Sequence, residues 1–153
     1  MSFYSTDVYT GDGSEVDWDV TFEFLSRDQV YVYVIDLTKA VTELTVVTTG
    51  TPATGEYKWK NDQEITLGDA LTANQQVKIQ RRTLLNQPEV DWKDGSDLIA
   101  DDLNTSEDQS IYLDQELHDW LKELTGGGTG PGDFVDLDDL GDVKITSATD
   151  KDV

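Results

Sequence analysis

The sequence predicts a mainly β protein: an antiparallel β-sandwich-like domain, then one C-terminal α-helix, then a glycine-rich linker. Many short stretches of strand-like composition, separated by turn-forming residues, occupy the chain before residue 104. This pattern is typical of a sandwich or a barrel. Parallel strands would need intervening helical segments of about ten residues or more, and none is apparent there. One clear helical pattern follows, within residues 104–125.

The clearest strand signal lies near the amino terminus, after a turn cluster at residues 10–14. From Val16 to Phe24, every second residue is apolar and the residues between them are acidic or threonine. This alternation predicts a strand with one buried face, and Trp18 on that face is expected in the core. Residues 30–37 are apolar or aromatic on both faces, which predicts a strand covered on both sides.

The remaining predicted strands are shorter. Residues 41–48 are rich in β-branched side chains and lead into a loop of glycine, proline, alanine and threonine. Further strands are predicted around Tyr57 and Trp59, at residues 65–67, around Val77 and Ile79, and at residues 90–92, with a helical turn at residues 69–71. Together these strands complete a β-rich domain over residues 1–103.

The predicted helix spans residues 104–125. Ser106 is the expected N-cap, because Gln109 three residues later has the spacing of a capping box. Gly126 is suited to end the helix in a left-handed conformation. Four apolar residues recur at spacings of four, three and four and form a seam along one face. The seam consists of Leu113, Leu117, Trp120 and Leu124.

The seam predicts an interface, since a helix of about five turns is marginally stable in water without a partner surface. A three-stranded coil or bundle, a two-stranded coil and packing on the chain's own sandwich can each bury it. We predict a homotrimer, with the four seam residues at the trimer interface.

Two segments follow the helix. Residues 126–132 contain five glycines in seven positions and predict a flexible linker that acts as a hinge. Residues 133–153 mix scattered apolar residues with aspartates and are too short to bury a core alone. They are interpreted as the start of a distal segment that is incomplete here.

The composition excludes several classes of function. The net charge is −21, from 32 acidic and 11 basic residues, which argues against nucleic acid and against anionic membrane surfaces as partners. No apolar run approaches the ~20 residues of a membrane-spanning helix, and no signal peptide is apparent. The chain is therefore expected to be made in the cytoplasm, without membrane insertion. It has no cysteine, which rules out a thiol nucleophile and a disulfide framework.

The sequence predicts no catalytic, cofactor or metal site, and hence no enzyme. His118 is the only histidine and is expected on the surface of the helix. The segments around Asp12 and Asp91 partly match calcium loops, but non-ligating residues at required positions favour turns. One concentration of basic residues could pair with the chain's own carboxylates or with a docking partner. Its members are Lys78, Arg81, Arg82 and Lys93.

Several short motifs occur in a fixed order over residues 3–120. They are Asp12-Gly13-Ser14, Asp17-Trp18-Asp19-Val20, Tyr57 with Trp59, Ile65-Thr66-Leu67, Val77-Lys78-Ile79 with Arg81 or Arg82, Gly95-Ser96, Asp102-Leu103-Asn104 and Gln109. In this order and spacing they resemble the amino-terminal domain of the tail fibres of T-seven-like short-tailed phages. The acidic stretch at residues 137–143 resembles a repeat of cyanophage fibres, which implies a marine host.

The resemblance implies a structural protein of the virion tail. In that family the domain is the virion-proximal end of a homotrimeric fibre and docks on the tail's adaptor and nozzle proteins. The distal part, absent here, recognises the host cell surface, and the domain has no known cofactor. Because the chain is so acidic, we expect its sheet edges and loops to dock on basic partner surfaces, while the helix seam is buried in the trimer.

Two other functions remain open from the residues alone. A carbohydrate-binding sandwich could use Trp18, Trp59 or Trp92 as stacking platforms, which would require exposed, coplanar rings along a groove. A polysaccharide depolymerase would require a cleft with two carboxylates at a working separation.

Overall fold

The computed structural model describes residues 3–93, 97 and 99–124. Within them, two four-stranded sheets precede one long helix, α1, which spans Ala100–Leu124. The strands are β1 (Thr6–Thr10), β2 (Asp17–Asp19), β3 (Val30–Ile35), β4 (Val41–Glu43), β5 (Thr45–Val46), β6 (Glu56–Asn61), β7 (Glu64–Leu67) and β8 (Gln76–Arg81). The predicted fold class, mainly β with a C-terminal helix, is confirmed.

The first sheet has the order β1-β8-β3-β4 and the second has the order β2-β7-β6-β5. The longest pairing joins β3 to β8, from Val30 opposite Arg81 to Ile35 opposite Gln76. All pairs are antiparallel except that of β5 with β6, which is parallel. The predicted antiparallel arrangement therefore holds for every described pair except this short one. A pairing of only two residues needs no crossover helix, because an ordinary loop returns the chain.

The segment predicted as one strand at residues 41–48 forms two strands in different sheets. β4 pairs with β3, whereas β5 pairs with β6. Leu44 lies between them, donates its backbone N–H to the Val32 carbonyl at 2.8 Å and packs against the core. A strand that changes sheets in this way forms a corner of the sandwich.

The core lies between the two sheets. Trp18 is buried, as predicted, and its ring lies 5.5 Å from that of Tyr9. The alternation that begins at Val16 correctly places Val20 and Phe22 in the core, although only Asp17–Asp19 form a strand. The buried cluster consists of Trp18, Val20, Phe22, Val30, Val32, Tyr57, Ile65, Leu67, Leu71, Val77 and Ile79.

The helix begins earlier than predicted. Ser106 lies inside α1, where its carbonyl accepts a hydrogen bond from the Ser110 hydroxyl at 3.2 Å, so its assignment as the N-cap is wrong. Asp101 and Asp102 occupy the first turn, where their negative charges interact favourably with the positive end of the helix dipole. Gln109 makes no capping box, because its side chain binds the β domain instead.

Two smaller predictions are also wrong. The predicted strand at residues 90–92 and the predicted helical turn at residues 69–71 are both irregular backbone. In the first case, the backbone just before the segment, at Glu89, binds a helix side chain rather than a sheet neighbour. The predicted linker at residues 126–132, the distal segment at residues 133–153, the expected helix stop at Gly126 and the Gly95-Ser96 motif lie outside the described residues.

Candidate assembly surface

Helix α1 contacts the β domain through polar side chains. These side chains recur at spacings of three and four along the helix, so they share one face. We call this set the polar face; it consists of Gln109, Tyr112 (through its ring), Glu116, Asp119 and Glu123. Gln109 and Asp119 are its buried members.

Arg81, at the end of β8, is the centre of the contact. Its side chain is fully buried, and its Nε donates to Glu116 Oε1 at 2.9 Å. Its Nη2 donates to Gln115 Oε1 at 2.8 Å and to the Tyr112 carbonyl at 3.2 Å, while Nη1 donates to the Glu23 carbonyl. The guanidinium carbon also lies 4.0 Å from the centre of the Tyr112 ring. One buried cation therefore joins β8, the segment after β2 and two turns of the helix.

Two carboxylates of the polar face bind backbone N–H groups of the β domain. Glu116 Oε1 accepts from the backbone N–H and the hydroxyl of Thr83, at 3.0 and 2.7 Å. Asp119 Oδ2 accepts from the backbone N–H of Tyr4 at 2.8 Å and from the N–H and hydroxyl of Ser5, each at 2.7 Å. The helix thereby accepts hydrogen bonds from backbone donors just before β1 and just after β8, two strands of the first sheet.

Gln109 extends the polar face toward the start of the helix. Its Nε2 donates to the carbonyls of Leu84 and Gln87 at 2.9 and 3.0 Å, and its Oε1 accepts from the Glu89 N–H at 2.9 Å. A single amide side chain thus holds the irregular segment that follows β8. Sequence reasoning assigned Gln109 to a cap, and only the tertiary fold reveals its partners.

The four basic residues predicted as one cluster have different surroundings. The Nζ of Lys78 lies 2.6 Å from Oε1 of Glu123 on the helix, and Arg81 is buried as described above. Arg82 is exposed and lies over the rings of Tyr31 and Tyr33, at 5.1 and 5.4 Å. Lys93 lies 3.3 Å from Asp91, with both side chains exposed. They form no common basic patch.

The apolar seam of α1 lies beside the polar face and is largely exposed. Leu117, Trp120 and Leu124 are 52, 55 and 64% exposed, and Leu113 is half-buried. Leu117 follows Glu116 directly and therefore lies about 100° around the helix from the polar face. The seam is thus not used for packing on the chain's own sandwich.

The seam is longer than the four residues predicted for it. Leu103 and Ile99, both about half exposed, continue the spacing toward the start of the helix, with Ser106 and Ser110 between them and Leu113. From Ile99 to Leu124 the steps alternate between four and three residues, which is a heptad repeat. Placing the helix start at residue 104 concealed this extension. No position of the repeat carries a charge.

A groove of about 510 Å³ lies between the seam and the loop after β8. Its apolar lining consists of Leu113, Leu117 and Trp120 from the helix and Leu85 from the loop. Leu85 is 85% exposed, the highest value among the large apolar residues that the structure describes. The apolar surface therefore continues from the helix onto the β domain.

The described residues offer no metal site, and no described helix is long and apolar enough to cross a membrane. His118 is exposed on the helix, as predicted, with its ring edge-on to Tyr4 at 5.4 Å. Asp12 forms a turn, as predicted, because its Oδ1 accepts from the N–H groups of Ser14 and Glu15, each at 2.8 Å. These bonds, that from Ser14 first, hold the pKa of Asp12 below its usual value.

The tryptophans do not form the stacking platform that carbohydrate binding would need. Trp18 is buried in the core. Trp59 is half-buried, and the centre of its ring lies 5.3 Å from that of Phe24. The guanidinium carbon of Arg27 lies 5.1 Å from the centre of the Trp59 ring. Trp92 is exposed on the irregular segment. Two of the three predicted platforms therefore have ring faces that are already covered.

Together, the sandwich and the exposed seam define a class of protein: a β domain followed by a helix with an exposed apolar stripe. Over residues 1–126 the chain matches the family described as phage T7 tail fibre protein, N-terminal domain, and it belongs to that family. It is 30% identical to the tail fiber protein of Escherichia phage T7 over 124 residues, and 27% identical to that of Enterobacteria phage T3 over 124 residues. Each match covers 77% of this chain and 20% of the relative.

A second group of relatives is named for an enzyme. The chain is 30% identical over 105 residues to depolymerase 1, capsule KN3-specific, of Klebsiella phage KN3-1, a match covering 67% of this chain and 12% of that protein. The chain thus spans a fifth or less of the curated relatives it matches. The predicted resemblance to T7-like tail fibres is confirmed, and the chain is a structural component of a tail fibre.

Proposed function

We propose that this domain is the virion-proximal anchor of a homotrimeric tail fibre. It docks on the adaptor and nozzle proteins of the tail, so that the distal part of the fibre can bind the host surface. Membership of the tail fibre family supports the location in the virion. One observation carries the trimer: α1 packs on its own domain through polar residues and leaves a charge-free heptad seam exposed.

The absence of charge along the seam permits a second copy as its partner. Two chains that each carry a net charge of −21 repel one another, so an association between copies needs an uncharged contact surface. A heptad seam is such a surface, and its regular spacing matches an identical helix in register. Burying its half-exposed leucines and tryptophan supplies the driving force for association.

The anchor role also accounts for the two groups of relatives. The same region of this chain is similar to proteins named tail fibre and to proteins named depolymerase, and it covers a small share of each. A region common to both groups fits an attachment task that both need. We therefore propose that this domain is not an enzyme and holds no cofactor, and that host recognition or depolymerase activity belongs to the rest of such proteins.

Docking on the tail is proposed to use the edges and loops of the sandwich. Arg81 cannot contribute, because its side chain is fully buried against the helix. Arg82 is the exposed basic residue beside it and is available to an acidic edge of the adaptor. The rest of the surface is acidic, so basic partner surfaces are expected.

A matched pair of variants tests the trimer. Leu117→Asp places a charge in the seam, whereas Ile111→Asp places it at a similarly exposed apolar residue outside the seam. Sedimentation of the 153-residue chain should show a trimer for the native protein and for Ile111→Asp, and a folded monomer for Leu117→Asp. A native monomer, or equal behaviour of the two variants, would contradict the proposal.

The anchor role is tested on virions that carry this chain. A gold label on the β domain should appear at the tail end of each fibre in electron micrographs. Labels at the distal tips would place the domain at the wrong end and contradict an anchoring function.

A further inference from the structure

Two exposed aliphatic residues of the helix lie outside the seam, Ile111 and Leu121, and Leu121 is the one that borders it. Leu121 follows Trp120 directly and is 49% exposed. In the heptad repeat, Leu113 and Trp120 are at position d and Leu117 and Leu124 at position a, so Leu121 is at position e. Charged residues usually occupy e and g positions of coiled coils. A leucine at e beside the seam gains from burial against an apolar partner.

The position of the β domain indicates that partner. Its contacts with the helix include Gln109, Glu116 and Glu123, which are the g positions of successive heptads. In a parallel coil, the g residue of one helix faces the e residue of the following heptad in its neighbour. In such a trimer, Glu116 therefore faces Leu121 of the neighbouring copy.

Leu85 is the apolar residue at that place. The carbonyl of Leu84, next to it in the chain, accepts a hydrogen bond from Gln109, so the loop lies on the g side of the helix. Leu85 lines the 510 Å³ groove beside Leu113 and Leu117 and is 85% exposed in the single chain.

We infer that Leu85 of each β domain packs against Leu121 on the helix of a second copy of this chain, within the groove beside the seam. The inference rests on the proposed trimer and adds a contact to it: each sandwich is fixed to two helices, its own through polar groups and its neighbour's through apolar ones. The interface then includes the loop after β8 as well as the coil.

Cysteine cross-linking tests this contact cleanly, because the chain has no cysteine of its own. Leu85→Cys and Leu121→Cys are made in separate copies of the 153-residue chain, carrying different tags. The two are co-expressed, purified through both tags and treated with a short bismaleimide. Any link between them must then join two chains.

A matched control pair combines Leu121→Cys with Leu37→Cys. Leu37 is 69% exposed and follows β3 at Ile35, the end of that strand opposite to its pairing with Arg81. We expect the Leu85→Cys and Leu121→Cys pair to link severalfold more than the control pair. A trimer with no preference for that pair overturns this inference and leaves the trimer standing. A monomer in sedimentation overturns both.

Discussion

The core of the sandwich and the contact beneath α1 are built from opposite kinds of side chain. Between the sheets, Ile65, Val32, Val77 and Ile79 are completely buried and apolar. Beneath the helix, the buried groups are charged or polar, with Arg81 at the centre. Apolar contacts are not directional, whereas hydrogen bonds and ion pairs require defined positions of their partners.

This difference explains why the polar face and the apolar seam of the helix are separate. An amphipathic helix on a globular domain normally buries its apolar stripe against that domain. Here the polar face packs against the β domain, and the apolar stripe remains exposed. The directional bonds of Glu116 and Asp119 fix the rotation of the helix about its axis, which keeps the seam off the sandwich and exposed. Rotation of about 100° would bury Leu117 in place of Glu116.

The largest expected effect comes from removing the buried cation. Arg81→Met leaves the Glu116 carboxylate without its cationic partner and removes the guanidinium donor from the carbonyls of Glu23 and Tyr112. We expect the free energy of unfolding to fall by about 3–5 kcal/mol, as for one partner of a buried ion pair. Denaturant unfolding, followed by far-ultraviolet circular dichroism, measures it.

Two further variants sharpen this result. Arg82→Met removes an exposed guanidinium over two tyrosine rings and should cost less than about 1 kcal/mol. The double change Arg81→Met with Glu116→Gln should cost less than Arg81→Met alone, because no unpaired charge remains. If Arg81→Met and Arg82→Met were equally mild, the polar contact would be unimportant for stability and the comparison would fail.

A smaller effect is expected from a small change in the core. Ile65→Val removes one methylene group from a completely buried residue, which should lower the free energy of unfolding by about 0.5–1.5 kcal/mol. The matched change Ile111→Val, on the exposed helix surface, should stay within about 0.5 kcal/mol of the native value. A loss for Ile65→Val as large as that for Arg81→Met would show that the core, not the polar contact, is the more sensitive region.

The smallest expected effect is on the stability of the protein at low pH, through Asp36. Asp36, in the turn between β3 and β4, has a pKa below its usual value, chiefly because the Thr38 hydroxyl donates to it and then because backbone N–H groups do. A lowered pKa in the folded state means that the ionised carboxylate stabilises the fold above its ordinary pKa. This stabilisation is lost as the pH falls through the folded value.

Asp36→Asn should therefore lose less of its thermal midpoint than the native chain between pH 6 and the acid range below pH 4. The asparagine still accepts the turn's hydrogen bonds but does not titrate there. Identical losses in the two proteins would mean that this turn contributes nothing to acid sensitivity.

Local sequence patterns were enough for most of the β domain. The alternation around Trp18 and the apolar residues at Val77 and Ile79 predicted which side chains are buried, because a strand with one covered face repeats every two residues. The limits of elements were less predictable. The segment at residues 41–48 divides between two sheets, which depends on where its partners lie rather than on its own composition.

By itself, the sequence determined the fold class, the helix with its apolar seam and the family resemblance, all of which depend on spacing along the chain. Only the tertiary structure decided which helix face meets the sandwich, and it chose the polar one. Gln109, Glu116 and Asp119 gave no local signal of this role, because their partners are backbone groups and Arg81, all distant in the chain. The sequence predicted the seam because apolar residues on one helix face recur about every 3.6 residues. It did not predict the polar contact, because directional bonds between distant residues produce no regular spacing along the chain.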